Sequence, residues 1–476
     1  MNTQLAHRHR RVRKTTINLF ALMMLMTGAV DGIRNIPSIA LFGQQLVFFV
    51  IAAAVLFLFP TGLISAELCT HFKEDSGIYM WSKTAFGPHV GAVAIWLQWV
   101  NTVVWFPTTL TAFTGTFAYL VFPKLDHDPL YLVIASLSIY WVLTILNLKG
   151  IRESSRMAAF GTTLGMVIPV TVIIVLSLLW LALGKPQAIH LTKAAILPPF
   201  SHRGTWMSLT AVTTAFLGME LATVHVRKIH KAHLIFPKAL IMSVIIILIT
   251  MGLGSFGVAM VVPHQDIILV TGTVQAISRL FTGFHLAWAT KVIGGLMLLG
   301  SLAAMINWLI SPANGLAHAA QDGYLPRFLA HENQHATPDR LLIVQAIIVS
   351  IVICAFFVMP SVNASYWLLS DLSTELYVIM YVLMFFAALK HLLAADKINL
   401  IPWGKFGAVS VICLGFIGTF TTLVVGFFPP VDINIGSPMH YIAYFTGGLI
   451  IMIAPVVLLV LHKKHLHVEN RNDSSK

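Results

Sequence analysis

Asp31, Arg34, Glu220, Asp371 and Glu375 stand inside stretches of sequence that are otherwise apolar. Ionisable groups in such surroundings are expensive, and they mark substrate or ion pathways, proton relays or buried pairs. Arg34 offers a fixed positive charge on a planar fork that matches a carboxylate. It either binds the acidic group of a guest or neutralises Asp31, which lies three residues away on the same helical face. Glu220 can pair with Arg34 or meet a ligand itself. Asp371 and Glu375, in "LLSDLSTELYVIM", are four residues apart and share one face of a helix. Asp371 is near the start of its segment and reads as interfacial. Glu375 is deeper and a better candidate for proton exchange or for a cationic group. A carboxyl in apolar surroundings can gain and lose a proton during a working cycle, so Glu220, Glu375 and Asp31 are the candidates for proton coupling.

Two of these acids sit where a helix is hard to continue. "TGAVDGIRNIP" (27–37) places Gly28, Gly32 and Pro37 around Asp31, Ile33 and Arg34. Glycine weakens a helix by its freedom and proline by its missing donor. The stretch "AFLGMELATVHV" places Phe216, Gly218, Glu220 and His225 in a comparable run, and Pro237 follows. Irregular backbone at membrane depth survives only where it is buried in protein or lines a wet cavity.

The elements that must position these residues are membrane spans. The chain has 476 residues, 57% hydrophobic and 10% charged, with a mean hydropathy of +0.84. Soluble domains carry about 25% charged residues. The apolar runs are continuous rather than alternating, so the fold class is an all-α membrane protein. Hydropathy predicts about 12 transmembrane helices, near 16–42, 44–69, 88–122, 129–148, 157–183, 206–226, 236–262, 286–318, 341–360, 364–389, 404–429 and 438–461. The third and eighth are long enough to tilt or to extend beyond the lipid. Placing both termini in the cytoplasm puts roughly 23 Lys/Arg inside and about 5 outside, as the positive-inside rule favours. The net charge of +12 therefore serves orientation in the membrane and not nucleic-acid binding. Two interrupted spans separated by about five are the pattern of an inverted-repeat transporter, with half-helix ends meeting at the midplane.

At these residues the chain resembles the amino acid–polyamine–organocation (APC) superfamily, and within it bacterial glutamate/GABA antiporters. "SAELCTHFKEDSGIYMW" is similar to the family's Ala-Glu-Leu followed by Gly-x-Tyr-x-Trp (Ala66, Glu67, Leu68, Gly77, Tyr79, Trp81). "GMELATVHV", "VVPHQDIILVTGTVQ" and "SPANGLAHAAQDGYLPRFLAHENQHATP", the last with Asp322, Gly323, Leu325 and Pro326, resemble further family segments in the same order. The resemblance implies a 5+5 inverted repeat (leucine-transporter-like fold) plus two C-terminal helices, working by alternating-access exchange. Its divisions would be a basic N-terminus (1–15), repeats at 16–183 and 206–389, the extra spans at 404–461 and a tail at 462–476. Carried over by position, Gly28, Asp31, Gly32, Ile33 and Arg34 match the unwound first span that holds a substrate's α-carboxylate. Phe216, Gly218 and Glu220 match the unwound sixth span, and Trp308, fifteen residues before Gly323, matches an aromatic that covers substrate. Relatives carry small or neutral residues at Asp31, whose charge would repel a carboxylate unless protonated or paired. They often carry arginine at Asn314, and their plug-forming C-terminal tail is longer than the one here.

The reading is a secondary amino acid antiporter of a bacterial inner membrane. A proton-coupled amino acid or polyamine symporter or uniporter is the alternative, and a non-transporting sensor is a third. The expected partners are a small amino acid or amine, membrane lipid and a second copy in a homodimer. Neither cofactor nor metal is expected, and no catalytic constellation suggests an enzyme. "GLGSFG" (252–257) matches a dinucleotide fingerprint by letter, but it lies in a span rather than after a strand. Small residues there favour close helix packing. Asn363 opens a glycosylation sequon by pattern. Cys69, Cys354 and Cys413 have no metal or redox spacing.

Overall fold

The computed structural model describes residues 18–30, 32–72, 77–126, 128–150, 155–189, 197–198, 203–221, 223, 232–335, 337–428 and 437–473. Asp31, His225 and the terminal basic cluster from Arg8 to Lys14 lie outside the described residues. Among those residues there are helices and no strands. Eleven helices are long and apolar enough to cross a membrane, and a shorter apolar helix, Leu209–Leu221, stands at the place of the sixth predicted span.

The first span is split into α1 (Leu19–Val30) and α2 (Ile36–Ala40). The second joins α3 (Leu46–Ala53) to α4 (Phe59–His71) through a π-helical turn. A short helix, α5 (Ile78–Phe86), leads into α6 (Pro88–Val121), and α7 (Pro129–Leu148) returns. The fifth span comprises α8 (Ser155–Thr162) and α9 (Ile168–Ala182), again with a π turn between them. After α10 (Arg203–Ala215), the seventh span runs through α11 (Ala232–Leu248), a third π turn and α12 (Gly254–Val261). Then come the short α13 (Gly272–Gly283) and the long α14 (Ala289–Gln321), α15 (Asp339–Ile353) and α16 (Val362–Ala394). The chain closes with α17 (Gly404–Val425) and α18 (Pro438–Asp473).

Local chemistry starts these helices where expected. Asp128 accepts from the Tyr131 amide at 2.8 Å ahead of Pro129, and Ser361 accepts from the Ala364 amide at 3.1 Å. α6 is the most buried span, packed between α14 and α16. α17 and α18 turn large apolar side chains outward, among them Phe420, Ile451 and Leu458, as lipid-facing helices do. α16 extends farther than its hydropathy suggests, to Ala394, and α18 continues as helix past Leu461 to Asp473 through the segment read as a tail. In the "GLGSFG" stretch, a Cβ added to Gly257 would lie 2.7 Å from Ser177 Oγ, so small residues there serve packing against α9. Asn363 is engaged structurally: it accepts from the Leu269 amide at 2.9 Å and donates to the Ile267 carbonyl at 3.2 Å. Lys291 is exposed at the start of α14, and Cys69, Cys354 and Cys413 form no disulfide among the described residues.

The motif after the second span has a physical meaning. Glu67 is fully buried and accepts from the backbone amides of Asn399, Leu400 and Ile401 at 2.8, 2.7 and 3.2 Å, which fastens the loop after α16 onto α4. Tyr79 and Lys83 on α5 both donate to Asp322 Oδ2 at 2.6 Å, linking α5 to the end of α14. The Lys83 ammonium first, and the Tyr79 hydroxyl second, hold the Asp322 carboxyl below the usual carboxylate range. Burial, then the bond to Asp322, pushes the Tyr79 hydroxyl up. Because native Asp322 binds its proton less tightly than the unfolded chain does, its contribution is complete above the unfolded value of about 3.9 and is lost as pH falls through the lower native value. The pair is partly exposed and so worth about 0.5–1 kcal/mol. Asp322→Asn should lower the melting temperature in detergent at neutral pH, and the gap to wild type should close only in acid.

Candidate functional site

Both predicted interruptions are present as backbone geometry. α1 ends at Val30, Gly32 is extended (φ −134°, ψ 120°), and a 3-10 turn over Ile33–Asn35 leads into α2, with Pro37 in its first turn. α10 ends at Ala215, and Gly218 takes φ +104°, a left-handed conformation that L side chains rarely adopt. The two breaks touch. A Cβ added to Gly218 would lie 2.8 Å from the Ala29 carbonyl oxygen and 3.4 Å from Trp308 Cζ2. Gly218→Ala therefore meets both backbone strain and a fixed neighbour, and should cost about 2–3 kcal/mol of stability, read as a lower melting temperature.

Between the breaks and the helices α6, α8, α14 and α16 is a cavity of about 100 Å³, room for several waters or a small polar guest. Gly28, Gly32, Ile33, Arg34 and Trp308 line it. Among the described lining residues, Arg34 is the one that carries a formal charge. Its Nη1 donates to Thr108 Oγ1 at 3.0 Å, and its guanidinium carbon lies 5.0 Å from the centre of the Trp105 ring. Trp105 in turn stacks on Trp308, with centroids 5.1 Å apart and planes 25° from parallel. Among the described residues the guanidinium is thus held by a cation–π contact and the hydroxyls of Thr108 and Tyr366, which leaves donors of its fork for a guest. The carbonyls of the break are pinned by neighbouring hydroxyls: Tyr366 donates to the Arg34 carbonyl at 3.0 Å, and Thr273 to the Ile33 carbonyl at 2.9 Å.

Phe216, Gly218 and Glu220 stand behind this wall and do not line the cavity. Glu220 does not reach for Arg34, the pairing the sequence allowed. Its carboxylate accepts from Gln98 at 3.1 Å and from the hydroxyls of Tyr377 and Tyr381. The Gly218 amide donates to Tyr381 Oη at 3.0 Å. The acid therefore locks the sixth-span break to α6 and α16. Asp371, read from its place in the sequence as interfacial, is packed against α18. It is buried, and Tyr441 donates to it at 2.7 Å.

Sequence reasoning missed the contribution of α6. Asn101, Trp105, Thr109, Ala112 and Thr116 all line the cavity, and their spacing of four, four, three and four is one helical stripe. An apolar span carrying asparagine and threonines on one stripe is a readable signal. Tyr377 and Thr214, also in the wall, carry no comparable mark.

A family model described as amino acid permease matches residues 17–454. The chain belongs to the amino acid permease family. An uncharacterized transporter of Legionella pneumophila is 35% identical over 95% of this permease and 97% of its own length. A glutamate/gamma-aminobutyrate antiporter of Lactococcus lactis is 29% identical over 95% and 92%. A probable agmatine/putrescine antiporter of the same species is 24% identical over 78% of each chain. These relatives are transporters, and the permease is a multi-pass membrane protein whose family moves small molecules of the amino acid class.

Proposed function

We propose that the protein is an amino acid antiporter of the glutamate/GABA type, working by alternating access in a bacterial inner membrane with both termini cytoplasmic. The observation that carries this reading is Arg34, a cation on the wall of a cavity bounded by two broken helices and otherwise lined by neutral residues among those described. Such a site favours a guest with a free carboxylate and repels an uncompensated diamine. The unwound segment at Gly32 and Ile33 supplies backbone groups for the guest's α-substituents, as half-helix ends do in inverted-repeat carriers. Trp308, stacked on Trp105, forms the apolar lid over its methylenes. The two repeats, 16–183 and 206–389, would rock about this site, and binding would shift the balance between inward-open and outward-open states by differential affinity. Exchange needs no ATP, because one substrate gradient drives the other.

The test is trans-stimulation in proteoliposomes preloaded with single compounds. Lumenal glutamate or GABA should accelerate uptake of labelled glutamate, and lumenal putrescine or agmatine should not. Acceleration by the diamines alone would transfer the protein to amine exchange. Binding of glutamate with no exchange at all would make it a sensor.

A further inference from the structure

α16 has two polar faces, and only one looks toward the broken helices. On that face Asn101 donates to the Ser373 carbonyl at 2.7 Å, the Thr214 and Thr374 hydroxyls bond at 2.6 Å, and Tyr377 and Tyr381 hold Glu220. The other face carries Asp371 and Glu375 toward α17 and α18. Asp371 has the Tyr441 hydroxyl from α18 as its donor. Glu375 has no such donor. It is 0% exposed, and neither of its carboxyl oxygens has a hydrogen-bond partner among the described residues. It is pressed against Gly426 just past the end of α17, where an added Cβ would collide with Oε1. Counted from Val362 at 1.5 Å per residue, Asp371 is about 14 Å and Glu375 about 20 Å along the helix, so the orphan carboxyl lies well inside the span.

An ionised carboxylate without donors in such a place costs several kcal/mol. Something must compensate it. Among the described residues no group of three or more His, Cys, Asp or Glu could hold a metal. The titratable groups that face Glu375 among the described residues are Asp371 on its own helix and Tyr441 on α18. The C-terminal end of α17 brings Gly426, which carries no side chain. A second carboxyl one turn away adds repulsion, and no base is in view among the described residues. A proton is the occupant that neutralises Glu375 without needing further ligands. Glu220, by contrast, has three side-chain donors in place.

We propose that Glu375, with Asp371 and Tyr441 beside it, is a proton-binding site separate from the substrate cavity and linked to it through the rigid body of α16. In the step itself a proton from bulk water bonds to a Glu375 carboxyl oxygen, converting a carboxylate into a neutral acid. Its release to water restores the charge, and no other bond changes. Because the opposite face of α16 grips Asn101, Thr214 and Glu220, a change of state at Glu375 bears on the helices that close around a guest. The link to transport rests on the exchange reading above, whereas the occupancy of Glu375 does not.

The two parts separate experimentally. Infrared difference spectra of the full chain in lipid nanodiscs, taken from about pH 5 to about pH 8, should contain the carbonyl band of a protonated acid that disappears in Glu375→Gln. Gly426→Ala, which pushes on the same carboxyl from α17, should shift that band even if the first variant folds poorly. Adding glutamate should change its intensity. In proteoliposomes, Glu375→Gln should retain glutamate–glutamate counterflow but lose the pH dependence of wild-type uptake. Absence of any Glu375-dependent acid band across that range overturns the site. A pH dependence in Glu375→Gln identical to wild type overturns its coupling. If wild type shows no counterflow, the exchange reading falls while the infrared band still decides the proton site.

Discussion

Arg34→Ala should weaken glutamate binding by roughly 100-fold, about 3 kcal/mol, the cost of removing the cationic partner of a desolvated carboxylate. The side chain can be removed with little harm to the fold. The contacts that shape the break use the backbone carbonyls of Ile33 and Arg34, held by Thr273 and Tyr366, and these survive truncation. Among the described residues the lost contacts are the hydrogen bond to Thr108, the contact with the Tyr366 hydroxyl and the stacking on Trp105. Arg34→Lys keeps the charge but loses the planar fork and its fit over the indole, so a loss of roughly 10-fold is expected. Equilibrium binding of labelled glutamate to purified protein measures both. Normal affinity in Arg34→Ala would remove this residue from the site.

The second large effect concerns stability. Glu220→Ala leaves Gln98, Tyr377 and Tyr381 facing a void where a carboxylate accepted from all three. Each buried donor left without a partner costs about 1–3 kcal/mol, so a loss of about 4 kcal/mol is expected, with some relief as the tyrosines find each other. Glu220→Gln retains one acceptor oxygen and should cost about half as much. Thermal unfolding in detergent, followed by tryptophan fluorescence, distinguishes the two. A melting temperature for Glu220→Ala equal to wild type would mean that the acid does not lock the sixth-span break.

Much of the architecture was legible because lipid removes alternatives. A continuous apolar run of span length is a helix in a bilayer, and the boundaries from hydropathy fall within a few residues of those observed for most spans. The breaks were legible for the same reason: Gly32 and Pro37, and later Gly218, have no purpose in an uninterrupted span. Partners were much less legible. Charge alone suggested Arg34 with Glu220, but the fold gives Glu220 to two tyrosines and a glutamine on other spans, and gives Arg34 to a threonine and a tryptophan on α6 and a tyrosine on α16. These contacts join residues far apart in sequence, and neutral donors leave no charge pattern to read. The partner of Asp371 was not legible because a position near a span's start does not say what packs there: α18 covers that part of α16 and supplies Tyr441. The α6 stripe was available in the sequence, since Asn101 and the threonines keep helical spacing, but threonine is common enough in membrane helices to pass as packing.

The central claim is that the ends of two broken helices enclose a wet cavity that grips a small carboxylate-bearing guest. Ser301 lines that cavity and is half-buried, its hydroxyl donating to the Met297 carbonyl at 2.9 Å. With Cys69, Cys354 and Cys413 replaced by serine or alanine, Ser301→Cys places a single thiol on the cavity wall. The rate at which a small hydrophilic thiol reagent modifies it is the most direct measurement. Glutamate should slow that rate in proportion to its binding, and the protection should vanish when Arg34→Ala is added. A thiol that never reacts, or one whose reaction glutamate leaves unchanged while glutamate is still transported, would contradict the account.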